Sequence, residues 1–288
     1  MNALEALKQT AALLSNWGIQ QSEKEAELLI SYCLGIDKVG LYRDNPELND
    51  ESSLKLLSVL HRRRNREPVQ YIVGYVEFYG LTIKVGRGVL IPRPETELLV
   101  EEAIKTISNL KSQISNLKIL DLCTGSGCLA LAIAKHLPHA EVYGTDISEE
   151  AITHAIENAS INSISNATFL KGHLFEPIAS EAFYDAAFDI IVSNPPYIKS
   201  SDIAGLQTEI RDWEPLDALD GGDDGLRFYR EIIPSAMRHM KKGSYLMLEL
   251  GIGQAEAVSG MAKEAGLGDV VLIKDYSGVD RILKVMKV

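Results

Sequence analysis

From Ala3 to about Arg66, apolar residues recur at helical spacing: Leu4, Leu7, Ala11 and Leu14, then Leu28, Leu29 and Tyr32 after Ser22. Ser22 followed by Glu25 has the form of a capping box, and Asn49-Asp50-Glu51 is placed to start a helix with Leu54, Leu57 and Leu60 facing inward. Residues 1–67 are therefore expected to form a small all-helical domain. Between Pro68 and Pro94 the texture changes to aromatic and β-branched residues broken by glycine, as in Gln70-Tyr71-Ile72-Val73-Gly74 and Phe78-Tyr79-Gly80-Leu81-Thr82-Ile83, which predicts a β-hairpin linker over 68–93. Pro94 then opens a helix with Glu95 and Glu97 in its first turn and Leu98, Leu99, Ala103, Ile104 and Ile107 as its buried stripe.

From Lys118 onward the pattern alternates between strand and helix. Strands are expected at Ile119–Leu122, Glu141–Thr145, Ala167–Leu170, Phe188–Ser193, Tyr245–Leu250, Asp269–Ile273 and Asp280–Met286. Several are near-continuous apolar runs, the mark of strands covered on both faces, so 94–288 is predicted to be a doubly wound α/β sheet with ligands bound beyond the carboxyl ends of its strands. Ser108-Asn109-Leu110-Lys111 returns as Ser115-Asn116-Leu117-Lys118, read as a surface connection because a repeat architecture needs more units.

Composition adds exclusions. Hydrophobic residues at 46% and charged residues at 24% are ordinary globular values, with no uninterrupted apolar run of membrane-spanning length. Glu5 and Lys8 interrupt the apolar start, which argues against a secretory leader. Cys33, Cys123 and Cys128 are scattered, suiting reduced thiols in a cytoplasm rather than a metal site. A net charge of -11 works against broad adhesion to a polyanion. The exception is His61-Arg62-Arg63-Arg64-Asn65-Arg66, either a solvated helix end between domains or, less favoured, a contact surface for RNA or an RNA-bound partner.

The run Ile119-Leu120-Asp121-Leu122-Cys123-Thr124-Gly125-Ser126-Gly127-Cys128-Leu129-Ala130 passes from strand through a glycine loop into helix. Gly125 and Gly127 allow backbone angles and close approach that a Cβ would block. Gly125-x-Gly127-x-x-Ala130 also fits a dinucleotide fingerprint, so the loop alone leaves the cofactor open. Asp146, closing the second strand, is placed to accept hydrogen bonds from ribose hydroxyls in either cofactor class.

Asn194-Pro195-Pro196-Tyr197 directly follows the buried strand Asp189-Ile190-Ile191-Val192-Ser193, at the same sheet edge. Two prolines fix the backbone so that carbonyls face a ligand. The Asn194 side-chain oxygen and the Pro195 carbonyl are two acceptors suited to a planar NH2 group, and their hold strengthens as the nitrogen gains charge on taking a methyl from a sulfonium. Tyr197 is placed to pack on the flat target. The tetrapeptide thus points to S-adenosylmethionine-dependent methylation of an amide or amino nitrogen and leaves nucleobase and amide open.

With those residues in place, the chain resembles the N5-glutamine methyltransferases of the HemK/PrmC family. The likeness covers Pro68-Val69-Gln70-Tyr71-Ile72-Val73-Gly74, Phe78-Tyr79-Gly80, Leu90-Ile91-Pro92-Arg93-Pro94-Glu95-Thr96-Glu97, the glycine loop, the Asn194–Tyr197 tetrapeptide, Glu214-Pro215, Ala218-Leu219, Gly221-Gly222-Asp223-Asp224-Gly225-Leu226 and Phe228-Tyr229-Arg230. The tetrapeptide also occurs in adenine-N6 nucleic-acid methyltransferases and in a sister family acting on ribosomal-protein glutamine; the Ile91–Glu97 block is the sharper marker.

The resemblance implies a Rossmann-like, seven-stranded class I methyltransferase domain with a helical N-terminal domain. It implies methyl transfer from S-adenosyl-L-methionine to the glutamine of the Gly-Gly-Gln motif in class 1 peptide-chain release factors, with no membrane and no stable nucleic-acid partner. It would place Cys123, Thr124, Gly125, Ser126, Gly127, Asp146, Leu174 and Asn194 on the cofactor, and Asn194, Pro195, Pro196 and Tyr197 on the substrate glutamine. The helical domain would help grip the release factor. Two positions depart from the family pattern. Cys123 stands where glycine is frequent, a change tolerated if the loop angle there is ordinary. His173 stands where aspartate is usual near the adenine, which leaves Leu174 to offer apolar packing.

Overall fold

The computed structural model describes residues 1–110, 117–179 and 188–288. By its internal contacts the chain divides into two units, Met1–Gly74 with Thr208–Trp213, and Tyr75–Gln207 with Glu214–Val288.

The first unit is helical, and short polar side chains set where its helices begin. Asn2 caps α1 (Ala3–Asn16) in a reciprocal box with Glu5; Asp37 caps α3 (Lys38–Asp44) and Asn49 caps α4 (Asp50–Arg64), each accepting from a backbone N–H three residues on. Ser22 does not cap: α2 (Ser22–Leu34) starts at it, preceded by Gln21 without a side-chain cap bond. The expected inward face of α4 is also wrong at two positions. Leu54 and Leu57 are 67% and 65% exposed, while Leu56, Val59 and Leu60 join the core with Ala6, Leu14, Leu29 and Ile30. The helix is rotated because Arg63 is drawn inward.

Arg63 is 3% exposed, and its guanidinium binds Glu25 at 2.6 Å and Glu209 at 3.0 Å. Arg66 shares Glu209 at 3.0 Å and Arg62 pairs with Glu67 at 2.6 Å. The basic run is therefore largely engaged with carboxylates; Arg64, exposed, lies over the Trp17 ring. Removing one partner strands the others partly buried, so Arg63→Ala should cost the helical unit about 3–5 kcal/mol in chemical denaturation. Arg64→Ala should change little, and equal effects for the two would refute this account.

Gln70–Val73, expected in the hairpin, is instead helix α5 (Val69–Val73), begun after Pro68 and ended by Gly74 in the left-handed region. Val69, Ile72 and Val73 bury against the helical core, and that burial outweighs their β preference. The hairpin is shorter, pairing β1 (Tyr75–Phe78) with β2 (Leu81–Lys84) antiparallel.

In the second unit, a single turn at Pro94–Thr96 leads into α6 (Glu97–Leu110), whose Leu99, Val100, Ala103 and Ile107 are buried. The elements then alternate: β3 (Lys118–Leu122), α7 (Cys128–His136), β4 (Glu141–Asp146), α8 (Glu149–Ile161), β5 (Ala167–Lys171) and β6 (Phe188–Ser193). The short helix α9 (Thr208–Arg211), counted with the first unit, precedes α10 (Arg227–His239), β7 (Met240–Glu249), α11 (Ala255–Glu264), β8 (Leu267–Lys274) and β9 (Asp280–Lys287). The duplicated Ser-Asn-Leu-Lys stretch lies partly outside the described residues.

The seven strands lie in the order β5-β4-β3-β6-β7-β9-β8, parallel except for β9, which is antiparallel to both neighbours. All seven expected strands are present. Every residue of β6 is buried, as a central strand covered on both faces requires. The order reverses between β3 and β6, so the crevice of this sheet opens where the loops after those two strands meet.

Candidate active site

The loop after β3 is shaped by a buried acid. The Thr124 hydroxyl donates to Asp121 Oδ2 at 2.6 Å and the Ala130 amide donates to the same oxygen at 3.2 Å. Burial pushes the Asp121 carboxyl up to about 7. Gly127, at φ +79°, begins α7, and a Cβ there would stand 3.0 Å from the Ala155 Cβ and 3.1 Å from the Phe169 ring. Cys123 adopts φ +58°, so its loop angle is not ordinary: it holds a glycine-type conformation at a cost of about 1–2 kcal/mol. Leu174 is also in the left-handed region, at φ +45°, and its carbonyl accepts the Thr145 hydroxyl at 2.8 Å. Two such residues facing one crevice mark a site where local strain is retained.

Asp146, at the end of β4, receives the Gly125 amide on Oδ2 and the Ser148 amide on Oδ1, both at 2.9 Å. Burial raises its carboxyl above the ordinary range, and these amides oppose the rise. Each oxygen keeps acceptor capacity for a ligand hydroxyl.

One cavity gathers Cys123, Thr124, Gly125, Ser126, Asp146, Leu174, Asn194 and Pro196. Its walls are completed by Leu90, Pro92, Arg93, Thr96, His173, Ala218 and Phe228. Gly127, Pro195 and Tyr197 are not among its lining residues. The wall segment at Ile91–Arg93 is held by buried Glu214, which accepts the Ile91 amide at 3.1 Å and the Arg93 guanidinium at 2.5 Å. The His173 ring nitrogen Nε2 lies 2.7 Å from Glu231 Oε2 and its ring stands beside Phe228.

The tetrapeptide after β6 is clamped by its surroundings. Gln254 Nε2 donates to the Tyr197 carbonyl at 2.9 Å, and a Cβ on Gly225 would collide with that same carbonyl. Pro195 and Pro196 are buried. The Asn194 Nδ2 donates to the Thr96 hydroxyl at 3.2 Å, which turns the carboxamide oxygen away from Thr96. The Tyr197 ring packs against the sheet core and its hydroxyl donates to Glu249 at 3.3 Å, rather than being presented as a flat platform in the cavity. Thr96 and Glu249 are among the residues that the sequence did not mark as part of the site. Their signal was available: Thr96 sits in the Ile91–Glu97 block, and Glu249 ends an apolar strand, as Asp146 does.

A glycine loop, an acid ending the next strand and an amide at the neighbouring strand end, all opening on one crevice, define a Rossmann-like methyltransferase. Residues 113–250 match a family model described as a methyltransferase domain, and residues 5–74 match one described as a PrmC N-terminal domain. A release factor glutamine methyltransferase of Thermodesulfovibrio yellowstonii is 46% identical over 264 residues, 92% of each chain. One from Geobacter sulfurreducens is 44% identical over 281 residues, 97% of this chain and 94% of that one. A methyltransferase structure from Pyrococcus furiosus shares the fold with TM-score 0.51 at 18% identity, covering 83% of this chain and 99% of that one. The chain belongs to the release factor glutamine methyltransferase family.

Among the described residues, no group of three or more His, Cys, Asp and Glu is arranged to hold a metal ion, and no helix is long and apolar enough to cross a membrane.

Proposed function

We propose that this protein methylates the side-chain amide nitrogen of the glutamine in the Gly-Gly-Gln motif of class 1 peptide-chain release factors, in the cytoplasm, using S-adenosyl-L-methionine. The observation that carries the reading is the Asn194 carboxamide, anchored through its nitrogen so that its oxygen is left to accept from a substrate NH2. S-adenosyl-L-methionine, when bound, supplies an electrophilic methyl group on a sulfonium.

The donor set fits that cofactor. Asp146 offers carboxylate acceptors to ribose hydroxyls, Thr124, Gly125 and Ser126 offer polar atoms and open backbone, and Leu174 and Phe228 offer apolar walls for a flat base. Gly127 keeps the loop close to α8, and Cys123 holds its turn. Asn194 and the Pro195 carbonyl orient the amide NH2 by accepting its two hydrogens, and this acceptor pair gains strength as the nitrogen becomes positive. The buried prolines keep the pair preorganised, so little reorganisation remains at the moment of transfer. Tyr197 secures the loop from behind. The helical unit, Met1–Gly74 with Thr208–Trp213, is assigned to recognition of the release factor and the sheet unit to transfer.

Transfer of labelled methyl to purified release factor tests the reading. Label should enter the wild-type factor and vanish when the Gly-Gly-Gln glutamine is changed to asparagine. Label that survives that change, or that enters bare nucleic acid instead, would overturn it.

A further inference from the structure

Behind Asn194 stands a buried chain of hydroxyls ending on a carboxylate. Thr96 and Glu249 are 2% and 1% exposed. Asn194 Nδ2 reaches Thr96 Oγ1 at 3.2 Å, Thr96 Oγ1 reaches Glu249 Oε2 at 2.8 Å, and the Tyr197 hydroxyl reaches Glu249 Oε1 at 3.3 Å. The Glu249 carbonyl is held in turn by the Tyr229 hydroxyl at 2.8 Å.

The directions of these bonds follow from charge. An ionised carboxylate only accepts, so the single proton of Thr96 must point at Glu249. The Thr96 oxygen is then left with lone pairs alone, and it can face only the NH2 end of Asn194. We infer that Glu249 and Thr96 are positioning residues for the transfer proposed above, the carboxylate fixing the threonine hydroxyl and the hydroxyl fixing which end of the Asn194 carboxamide meets the substrate. Without them the two ends of the amide are nearly equal in shape, and the wrong one would set a donor against the substrate's own NH2.

The titratable groups around Glu249 are Tyr197, Tyr229, Arg281, Glu95 and Cys128. Burial raises the Glu249 carboxyl above the ordinary value of 4.5, opposed by Thr96, Arg281 and Tyr197. Protonated Glu249 can donate as well as accept, and the constraint on Thr96 is released. The lock therefore holds while Glu249 is ionised and is lost as pH falls through that raised value.

The side-chain amide 15N–1H resonances of Asn194, assigned by their loss in Asn194→Ala, report the anchor without any need for turnover. Thr96→Val should shift them and lower kcat by about 10- to 100-fold, with the cofactor Kd kept within about threefold. Thr96→Ser should restore both. The wild-type resonances should titrate with a midpoint above 4.5 and cease to do so in Glu249→Gln. Glu249→Gln also serves as the deciding variant if Thr96→Val does not fold. Unchanged Asn194 resonances and unchanged kcat in the variant would overturn the inference. A wild-type enzyme that transfers no label to release factor would instead refute the proposed function, with the resonances still deciding the lock.

Discussion

Asn194→Ala should reduce kcat for methyl transfer by roughly 10²- to 10³-fold, the usual consequence of losing one preorganised polar contact to charge that develops in the transition state. The cofactor Kd should move far less, because Asp146 and the loop after β3 remain. The loss should appear equally in kcat and kcat/KM, since the contact strengthens with charge on the substrate nitrogen. Asn194→Asp sharpens the test. It keeps an acceptor oxygen but brings a carboxylate against the lone pairs of Thr96, whose proton is committed to Glu249. It should therefore be about as inactive as alanine at neutral pH. Single-turnover transfer beside calorimetric cofactor binding measures both quantities. A variant that retains more than about a third of wild-type kcat would remove Asn194 from the chemistry.

What the sequence disclosed and what it withheld have separate physical causes. Strand identity was legible because central parallel strands are apolar on both faces, as Phe188–Ser193 is, and the residue ending each such strand falls at the ligand edge. Asp146 and Asn194 were placed at that edge on this logic, and both line the cavity. Glu249 obeys it too, but its role depends on Thr96, 153 residues away in the chain. No local pattern encodes that pairing. The rotation of α4 was hidden for a similar reason. Its leucines at 54, 57 and 60 suggest a stripe, yet the buried ion pairs of Arg63 with Glu25 and Glu209 set the face. One of those partners lies in an excursion of the chain far beyond the helix. The angle at Cys123 was not legible, because a non-glycine residue gives no sign of a left-handed conformation that its neighbours impose.

Asp146→Ala should weaken S-adenosyl-L-methionine by about 10²-fold, near 3 kcal/mol, the worth of two hydrogen bonds to a charged group. Part of the loss comes from the loop, since the carboxylate also holds the Gly125 and Ser148 amides. Asp146→Asn keeps one acceptor oxygen but must turn its NH2 toward one of those amides, so it should fall between wild type and alanine. The pH dependence has a definite sign. Burial raises the Asp146 carboxyl above 3.8, and only the ionised form accepts on both oxygens. Cofactor affinity should be constant while Asp146 is ionised and decline as pH falls through the raised value. Stability of the cofactor-free fold should respond to this group in the opposite sense. A carboxyl whose value is raised in the folded state binds its proton more tightly there, so protonation favours the fold. Calorimetric affinity and chemical denaturation followed across the same acid range, in wild type and in Asp146→Asn, separate the two. Affinity in the wild type that stays flat while the fold remains intact would remove Asp146 from the cofactor site.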